Sequence, residues 1–563
     1  MNKKPILAIA SLSLLAGGMT GCSMGGGSNT QIDQSKTQIY VSNYAGGYGS
    51  EWLAAVKTRF EEAHKDDVIE EGKKGVQIVI DSIANTAKDE AAKILDNKNE
   101  VYFTEQSSYF SLKSQGILGD ITDAMSSALP GESTSILDKM SDEQKSFYGI
   151  SENGEIHYYA LPHYSGFFGI TYNIDLFDEK GFYFASSPLS DRLADQFVTA
   201  RNSKKSAGPD GVSGTSDDGL PTTYDEFFKL CDYMVSKDVT PFLSNGHNYK
   251  DYLNWLVNAF ATSYEGKDEM SKVYTLDGSV STLATIDNGT LKMDETPTAL
   301  STKNGYETSR MAGKYYALKF MERIFGNSNY HNTKITNSGY SHIDAQTDFL
   351  YAGNDNVTNP IAMLSDGIWW ENEAKSTFEA MAQAKGDSFS RMNRRFGFMP
   401  LPSATAEKAA EHKSTLHDVL FSFCFMKSNV AESKKAIIKE FIRFCNTDVS
   451  LSEYTYTTNT PKALKYAMSE ADLAKMSPFG RSVYELKSNS DIVYPYASSS
   501  FYANNEEKFD PRKQYSTKDS NGVVTDYCVE AIAEKGQSAE TVFEGLYRYY
   551  KDAWSNYVKD EEK

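Results

Sequence analysis

The chemistry that the sequence offers most clearly is recognition of a flat, polar molecule by aromatic and acidic side chains. Two adjacent tryptophans, Trp369 and Trp370, follow the apolar run 361–364 and the pair Asp366-Gly367. Glycine lets the backbone turn tightly, which places an indole near a strand end. An indole can cover the C–H face of a sugar ring while a carboxylate, such as that of Asp366, accepts hydrogen bonds from hydroxyl groups. We expect one tryptophan to face a ligand and the other to face the core.

Catalytic signatures are absent from the sequence. It contains no HExxH motif, no GxSxG motif and no P-loop. Glycosidases use a pair of carboxylates, but a chain with 76 acidic residues offers such pairs by chance. We therefore expect capture without chemistry. A surface glycoside hydrolase or lyase and a binding protein for a peptide or another non-sugar solute remain as alternatives.

Short strands near the N-terminus would bring polar side chains to one edge of a sheet. Residues 38–41, 76–80 and 101–103 are predicted strands separated by helical patterns. This βαβαβ order predicts a parallel sheet whose ligands bind outside the C-terminal strand ends. Tyr44 follows the first strand and Glu105 follows the third, so both are candidate ligand contacts.

The other candidate contacts lie where aromatic and hydrogen-bonding side chains cluster. One cluster surrounds the predicted strand near Leu161, and alternation along that strand would bury half of its side chains. A second cluster opens a helical segment, and a third precedes Pro461. The candidates from these three segments are His163, Tyr164, Asn245, His247, Trp255 and Tyr456.

A loop rich in aspartate and glycine spans residues 208–219. Clustered carboxylates and turn glycines can wrap a calcium ion through oxygen ligands. The loop lacks the terminal Glu of an EF-hand, so a solvated turn-rich loop is the alternative. The predicted ligands of this structural calcium site are Asp210, Asp217 and Asp218; we expect no other cofactor.

Length and charge limit the class of protein. A chain of 563 residues exceeds one ordinary core, so two or more lobes are expected. The formal net charge of −19 argues against a nucleic-acid partner, because phosphate binding requires clusters of Lys and Arg. Four cysteines, Cys231, Cys424, Cys445 and Cys528, are widely spaced, which favours buried thiols over a disulfide scaffold.

The N-terminus has the features of an export signal. Two lysines precede the apolar run 6–15, which is too short to span a bilayer. The four residues that end at Cys22 resemble the bacterial lipobox, in which the cysteine is acylated and becomes the mature N-terminus. An ordinary signal peptide is the alternative. We thus expect a signal peptide at 1–21, a flexible Gly/Ser-rich tether at 22–37, and a lipid-anchored protein at the extracellular face of the membrane.

Six segments together resemble the carbohydrate-binding group (family 1-like) of extracellular solute-binding proteins of ABC transporters, as found in Gram-positive bacteria. They are 39–60, 101–123, 158–177, 362–374, 396–403 and 431–447. The resemblance implies an α/β, two-lobe periplasmic-binding-protein-like fold (type II) with a ligand cleft between the lobes. It also implies an oligosaccharide ligand, transporter membrane subunits as partners, and a monomer.

The resemblance also assigns parts of the chain to roles. It implies an acidic ligand contact at Glu105, a ligand-stacking aromatic within 366–370, and a first crossing between the lobes near Leu161. The expected first lobe comprises 38–160 and about 400–460. The expected second lobe comprises about 161–399 and 461–563.

Overall fold

The computed structural model describes residues 31–83, 91–105, 108–247, 249–354, 359–518 and 524–559. The strands of the two main sheets are β1 (Thr37–Tyr44), β2 (Val76–Ile83), β3 (Val101–Glu105), β4 (Leu161–Pro162), β5 (Phe168–Asn173), β6 (Thr240–Leu243), β7 (Ile361–Gly367), β8 (Phe396–Phe398) and β9 (Ser422–Met426). The helices of ten residues or more are α1 (Glu51–Ala63), α2 (Tyr224–Val235), α3 (Tyr249–Thr275), α4 (Ala312–Phe325), α5 (His342–Tyr351), α6 (Lys375–Lys385), α7 (Glu432–Phe444), α8 (Asp448–Thr458), α9 (Pro478–Ser488) and α10 (Ala539–Val558).

The first sheet has the strand order β2-β1-β3-β9-β4. Strand β1 is parallel to both β2 and β3, which confirms the predicted parallel arrangement. Strand β9 returns from much later in the chain and pairs antiparallel with β3, with Cys424 opposite Phe103. Every residue of β3 is buried, because it lies between two strands and under helices on the faces of the sheet.

The second sheet has the strand order β8-β5-β7-β6. Strand β5 is antiparallel to β7 and β8, whereas β6 is parallel to β7, with Leu243 opposite Leu364. The C-terminal ends of β6 and β7 therefore meet at one edge, where the chain continues to Trp369. The molecule is thus an α/β protein with two lobes, as the sequence predicted.

Most predicted elements agree with the observed ones to within a few residues. The prediction for the helix at 249–261 is too short, because α3 continues to Thr275. Gly266 lies inside it with φ 75°, a conformation that glycine adopts at little cost. The kink turns the second half of the helix away from the line of the first, so one apolar periodicity does not run through both halves.

Three crossing segments join the lobes and hydrogen-bond to one another. Residues 163–167 connect β4 to β5, and residues 399–421 connect β8 to β9. The third segment runs from 459 to 477 and connects α8 to α9. The Val419 N–H donates to the Gly166 carbonyl at 2.8 Å. Because β4 pairs with β9, the first crossing begins after Pro162; the outer boundaries of the lobes stay a prediction.

Asp418 ties the first crossing segment to the second. Its Oδ1 accepts the N–H of Gly166 at 3.1 Å and the N–H of Leu420 at 3.2 Å. A Cβ at Gly166 would lie 2.4 Å from the side chain of Leu420, so only glycine permits this close approach. Burial raises the pKa of the Asp418 carboxyl to about 7.

This raised pKa predicts how a neutral substitute for Asp418 behaves. A carboxyl that binds its proton more tightly in the folded than in the unfolded protein stabilises the fold while it is protonated. The protein therefore loses this stability as the pH rises from about 4 to about 7. Asp418→Asn removes that titration. We expect its free energy of unfolding, relative to that of the natural protein, to be ~2 kcal/mol larger at pH 8 than at pH 5.

Urea unfolding at both pH values measures this difference. The exposed Asp191→Asn is the matched control and should show no such change. An equal effect of Asp418→Asn at the two pH values would contradict the prediction.

Candidate functional site

Aromatic rings from both lobes surround Trp369 at the end of β7. The centroid of its ring is 5.7 Å from that of Trp255 on α3 and 6.3 Å from that of Phe168 on β5. From the first lobe, the ring of Tyr48 lies 6.4 Å away. Trp369 therefore lies between the lobes and is contacted from both sides; we call this region the cleft.

The lobes approach closely where Gly47 meets Trp369. A Cβ at Gly47 would lie 2.9 Å from the Cβ of Trp369, so a larger residue would force the lobes apart. The Asn372 side chain donates from Nδ2 to the Gly47 carbonyl at 2.8 Å. This contact positions the turn after β1 against the helix 370–373.

On the first lobe, a phenol and a carboxylate form the wall of the cleft. The ring of Tyr164 lies 4.3 Å from that of Tyr48, and its hydroxyl donates to Glu105 Oε2 at 2.6 Å. Tyr44 ends β1 at the same edge of the sheet, half-buried. Burial, then the charges of Glu105 and Glu373, raise the pKa of the Tyr44 hydroxyl.

On the second lobe, one amide bridges two carboxylates. Gln346 Nε2 donates to Asp366 Oδ2 at 3.0 Å and to Glu373 Oε2 at 2.7 Å. The Tyr252 hydroxyl donates to Asp366 Oδ1 at 2.7 Å. Burial, with the neighbouring charge of Asp366, raises the pKa of Glu373 to about 8. Two carboxylates this close do not easily hold two charges in a buried site.

Three buried polar atoms of the cleft have no hydrogen-bond partner among the described residues. They are Tyr48 Oη, Trp255 Nε1 and Gln346 Oε1. A buried polar atom left unpaired costs about 1–3 kcal/mol. The cleft therefore presents aromatic faces, carboxylate acceptors and unpaired donors and acceptors together, which suits a ligand with both C–H faces and polar groups.

A cation from near the C-terminus also reaches the cleft. The guanidinium carbon of Arg512 lies 5.4 Å from the ring centroid of Trp255. Asp510 holds this guanidinium through two bonds, of 3.1 and 2.7 Å. The Asn254 side chain donates to the Arg512 carbonyl at 2.7 Å, so α3 anchors the segment.

Sequence reasoning missed five residues of the cleft. The helical spacing of Tyr252 and Trp255 places them on one face of α3, and this signal could have found Tyr252. No pattern in the sequence marks Arg512, whose position depends on tertiary contacts alone. The missed residues are Tyr48, Tyr252, Gln346, Glu373 and Arg512.

The structure brings most of the predicted contacts to the cleft edge. Besides Trp369 and Tyr44, the cleft contains Glu105, Tyr164, Trp255 and Asp366, whose contacts are given above. Asn245 is buried and follows the end of β6. Since Leu243 lies opposite Leu364, Asn245 lies at the level of Asp366 in the sheet.

The predicted ligand role of Trp370 does not fit its position. Its side chain is fully buried in the second lobe, 5.3 Å from the ring of Phe396 and 5.4 Å from that of Phe479. The reason is local: Trp369 caps the short helix 370–373, and successive helical side chains point about 100° apart. One indole therefore faces the cleft and the other faces the core.

His163, His247 and Tyr456 also lie outside the cleft wall. His163 is buried behind Tyr164, and Lys462 Nζ donates to its Nδ1 at 2.6 Å. Burial, then the charge of Lys462, lowers the pKa of His163 well below its usual range, so the ring is a neutral packing group. His247 is exposed and pairs with the Ser338 carbonyl.

Tyr456 lies on the other face of α8 from the buried Tyr454. Lys475 Nζ lies 4.3 Å from its ring centroid, and its hydroxyl donates to Glu453 at 3.4 Å. The buried Tyr454 packs beside Tyr164, with 6.3 Å between their ring centroids. Tyr454, two residues earlier on the helix, is therefore the aromatic side chain that supports the cleft.

The Asp/Gly loop uses its carboxylates within the loop itself. Asp217 accepts the Asp210 N–H at 2.9 Å and the Thr215 hydroxyl at 2.7 Å, while Asp218 accepts the Gly214 N–H at 2.8 Å. Across the described ranges, no group of three or more His, Cys, Asp or Glu side chains is placed to hold a metal ion. Calcium binding stays a prediction of the sequence.

The predicted export and anchoring signal, with Cys22, lies outside the described residues. In the described part of the chain, no helix is both long and apolar enough to cross a membrane. Cys231, Cys424, Cys445 and Cys528 are buried free thiols.

Comparison with known proteins gives the fold. No family model and no curated protein sequence matches the chain. Among solved structures, "Maltose bound T. maritima MalE3" is similar with a TM-score of 0.51 at 14% identity, over 92% of this chain and 99% of that chain. The chain has the two-lobe fold of solute-binding proteins.

Two other solved structures agree with this likeness. The SBP RafE in complex with raffinose has a TM-score of 0.50 at 14% identity, over 92% of this chain and 99% of that one. The bacterial solute receptor AcbH has a TM-score of 0.51 at 10% identity, with the same shares of each chain covered. The likeness extends over nearly the whole chain and concerns its fold.

The two adjacent tryptophans make a matched pair for a stability test. Trp370→Ala leaves a cavity in the second-lobe core, and we expect it to lower the free energy of unfolding by about 3–5 kcal/mol. Trp369→Ala removes contacts between lobes at a cleft, and we expect a loss of about 1–2 kcal/mol. Chemical denaturation of both variants measures the difference. Equal losses would show that both indoles are core residues.

Proposed function

We propose that this protein is an extracellular solute-binding protein that captures a carbohydrate in the cleft around Trp369 for import by an ABC transporter. One observation carries the proposal: unpaired polar atoms of Tyr48, Trp255 and Gln346 lie among aromatic rings supplied by both lobes. The fold supports it, since similar structures are bound to maltose and to raffinose.

The chemistry of the cleft suits a sugar. Trp369 and Trp255 supply aromatic faces that pack against C–H bonds of a pyranose ring. Asp366 and Glu373 supply carboxylate oxygens that accept hydrogen bonds from hydroxyl groups. The indole N–H of Trp255 and the hydroxyl of Tyr48 supply donors for the hydroxyl and ring oxygens of the sugar.

Closure of the lobes follows from the position of the hinge. The crossing segments pass behind the cleft at Gly166 and Asp418, so bending there moves the Gly47 turn toward or away from Trp369. A ligand that contacts Tyr48 and Trp255 at once binds the closed form better and so shifts the equilibrium toward it. The closed form would then dock on the membrane subunits of the transporter.

The proposal includes a lipid anchor at Cys22, supported by the lipobox-like residues before it and the Gly/Ser-rich segment after it. We expect Cys22→Ser to move the protein from the membrane fraction to the soluble fraction of cells that express the full chain. The buried Cys528→Ser is the control and should stay with the membrane. An unchanged membrane fraction for Cys22→Ser would exclude the anchor.

Binding is tested by calorimetric titration against neutral oligosaccharides with α- and β-linkages. We expect a specific ligand, and we expect Trp369→Ala to weaken its binding at least tenfold, which corresponds to about 1.4 kcal/mol. Tyr456→Ala is the matched control, because this ring lies outside the cleft, and its affinity should be unchanged. Failure of every saccharide to bind would refute the proposal.

The Asp366 and Glu373 carboxylates favour one alternative, a glycoside hydrolase, because such enzymes use two acidic groups. Incubation with the same oligosaccharides distinguishes the two functions. New reducing ends that disappear in Glu373→Gln would establish hydrolysis, whereas binding without new reducing ends is the expected result.

A further inference from the structure

Carboxylates from both lobes converge on the aromatic cluster. Glu105 comes from the first lobe, at the end of β3. Asp366 and Glu373 come from the second lobe, at the end of β7 and in the helix that follows it. Tyr48 lies among these elements, with its ring 4.3 Å from that of Tyr164 and 6.4 Å from that of Trp369. Burial, then surrounding groups that include Glu105 and Glu373, raise the pKa of its hydroxyl.

Glu373 is the member of this group that reaches the interface of the lobes. A Cβ at Gly47 would lie 3.1 Å from its Oε1. Its other oxygen accepts the Gln346 amide at 2.7 Å, and the nearest imidazole nitrogen, His342 Nε2, is 4.0 Å from Oε1. Its side chain is 18% exposed, so part of it remains accessible to solvent.

The arginine that reaches the cleft is already paired. Arg512 lies over Trp255 and is held by Asp510 through two bonds. Its guanidinium therefore offsets the charge of Asp510 first. A ligand that enters this cleft meets the carboxyl groups of Glu105, Asp366 and Glu373, and a cationic ligand favours their ionised forms.

Unpaired polar atoms lie beside these carboxylates. Gln346 Oε1, on the amide that bridges the carboxylates, is buried without a partner among the described residues. The same holds for Tyr48 Oη and Trp255 Nε1, whose residues are 3% and 6% exposed. The unpaired oxygen of this bridging amide can accept a hydrogen bond from the same ligand group that donates to the carboxylates.

We propose that the cleft selects a saccharide with a free amino group, whose ammonium binds Glu373 beside the rings of Trp369 and Tyr48. This inference rests on the proposed function. An ammonium supplies three donors to an acceptor-rich wall, and aromatic faces favour cations further. A carboxylate or sulfate on the sugar is repelled by the same wall.

The pH dependence follows from the groups that face Glu373. These are Asp366, Glu105, His342, Tyr44, Tyr48 and Tyr252. Since its pKa is raised to about 8 by burial and by Asp366, Glu373 carries a proton at pH 7 in the free protein. An ammonium at the same oxygen favours the ionised form, so an amino saccharide releases a proton on binding and a neutral saccharide does not.

The test compares glucose, glucosamine and glucuronic acid, each as the monosaccharide and in a β1,4-linked disaccharide. Titration at pH 7 in two buffers of different ionisation enthalpy gives the affinity and the number of protons released. We expect the glucosamine compounds to bind at least tenfold tighter than the glucose compounds with release of a proton, and the glucuronic acid compounds to bind weakest.

Glu373→Gln is expected to reduce the glucosamine-to-glucose affinity ratio to about threefold or less and to abolish the proton release. The exposed Glu379→Gln is the matched control and should leave the ratio unchanged. A ratio of one or less in the natural protein overturns the inference, as does a ratio that Glu373→Gln leaves intact. If only neutral saccharides bind, the inference is wrong and the proposed function stands. The proposed function fails only if no saccharide binds.

Discussion

The close contact between Gly47 and Trp369 is the constraint on which the cleft depends. It brings a turn of the first lobe within van der Waals distance of the second, so the rings and carboxylates on both sides enclose one space. A side chain at Gly47 would widen that space and separate Tyr48 from the indole. Asp418 ties together two of the segments that join the lobes, through its bonds to Gly166 and Leu420.

Burial governs the electrostatics of this space. It raises the pKa of Glu373 in the cleft and of Asp418 in the hinge, and it lowers the pKa of His163 behind the wall. These groups lose charge for the same reason, since each is removed from water. Acidic side chains on opposite lobes can therefore approach without full mutual repulsion.

The sequence predicted the fold well, because apolar periodicity and short β-branched runs are local signals that survive in the structure. The edge residues Tyr44 and Glu105 were also predictable, since the order of strands determines where a parallel sheet ends. The sequence predicted that one of the two tryptophans faces the core but not which one, because a helix that begins after Trp369 turns the next side chain into the core. Arg512 was not predictable either, since contacts with α3 bring it there from a distant part of the chain.

The return of β9 to the first sheet has a consequence for biosynthesis. Until Ser422–Met426 has been made, the edge of β3 has no partner, although every residue of β3 is buried in the finished protein. An unpaired edge of this kind is a site of aggregation. The nascent chain therefore has to be kept from associating with its neighbours while the whole second sheet is synthesised, and the sheet that begins first is completed last.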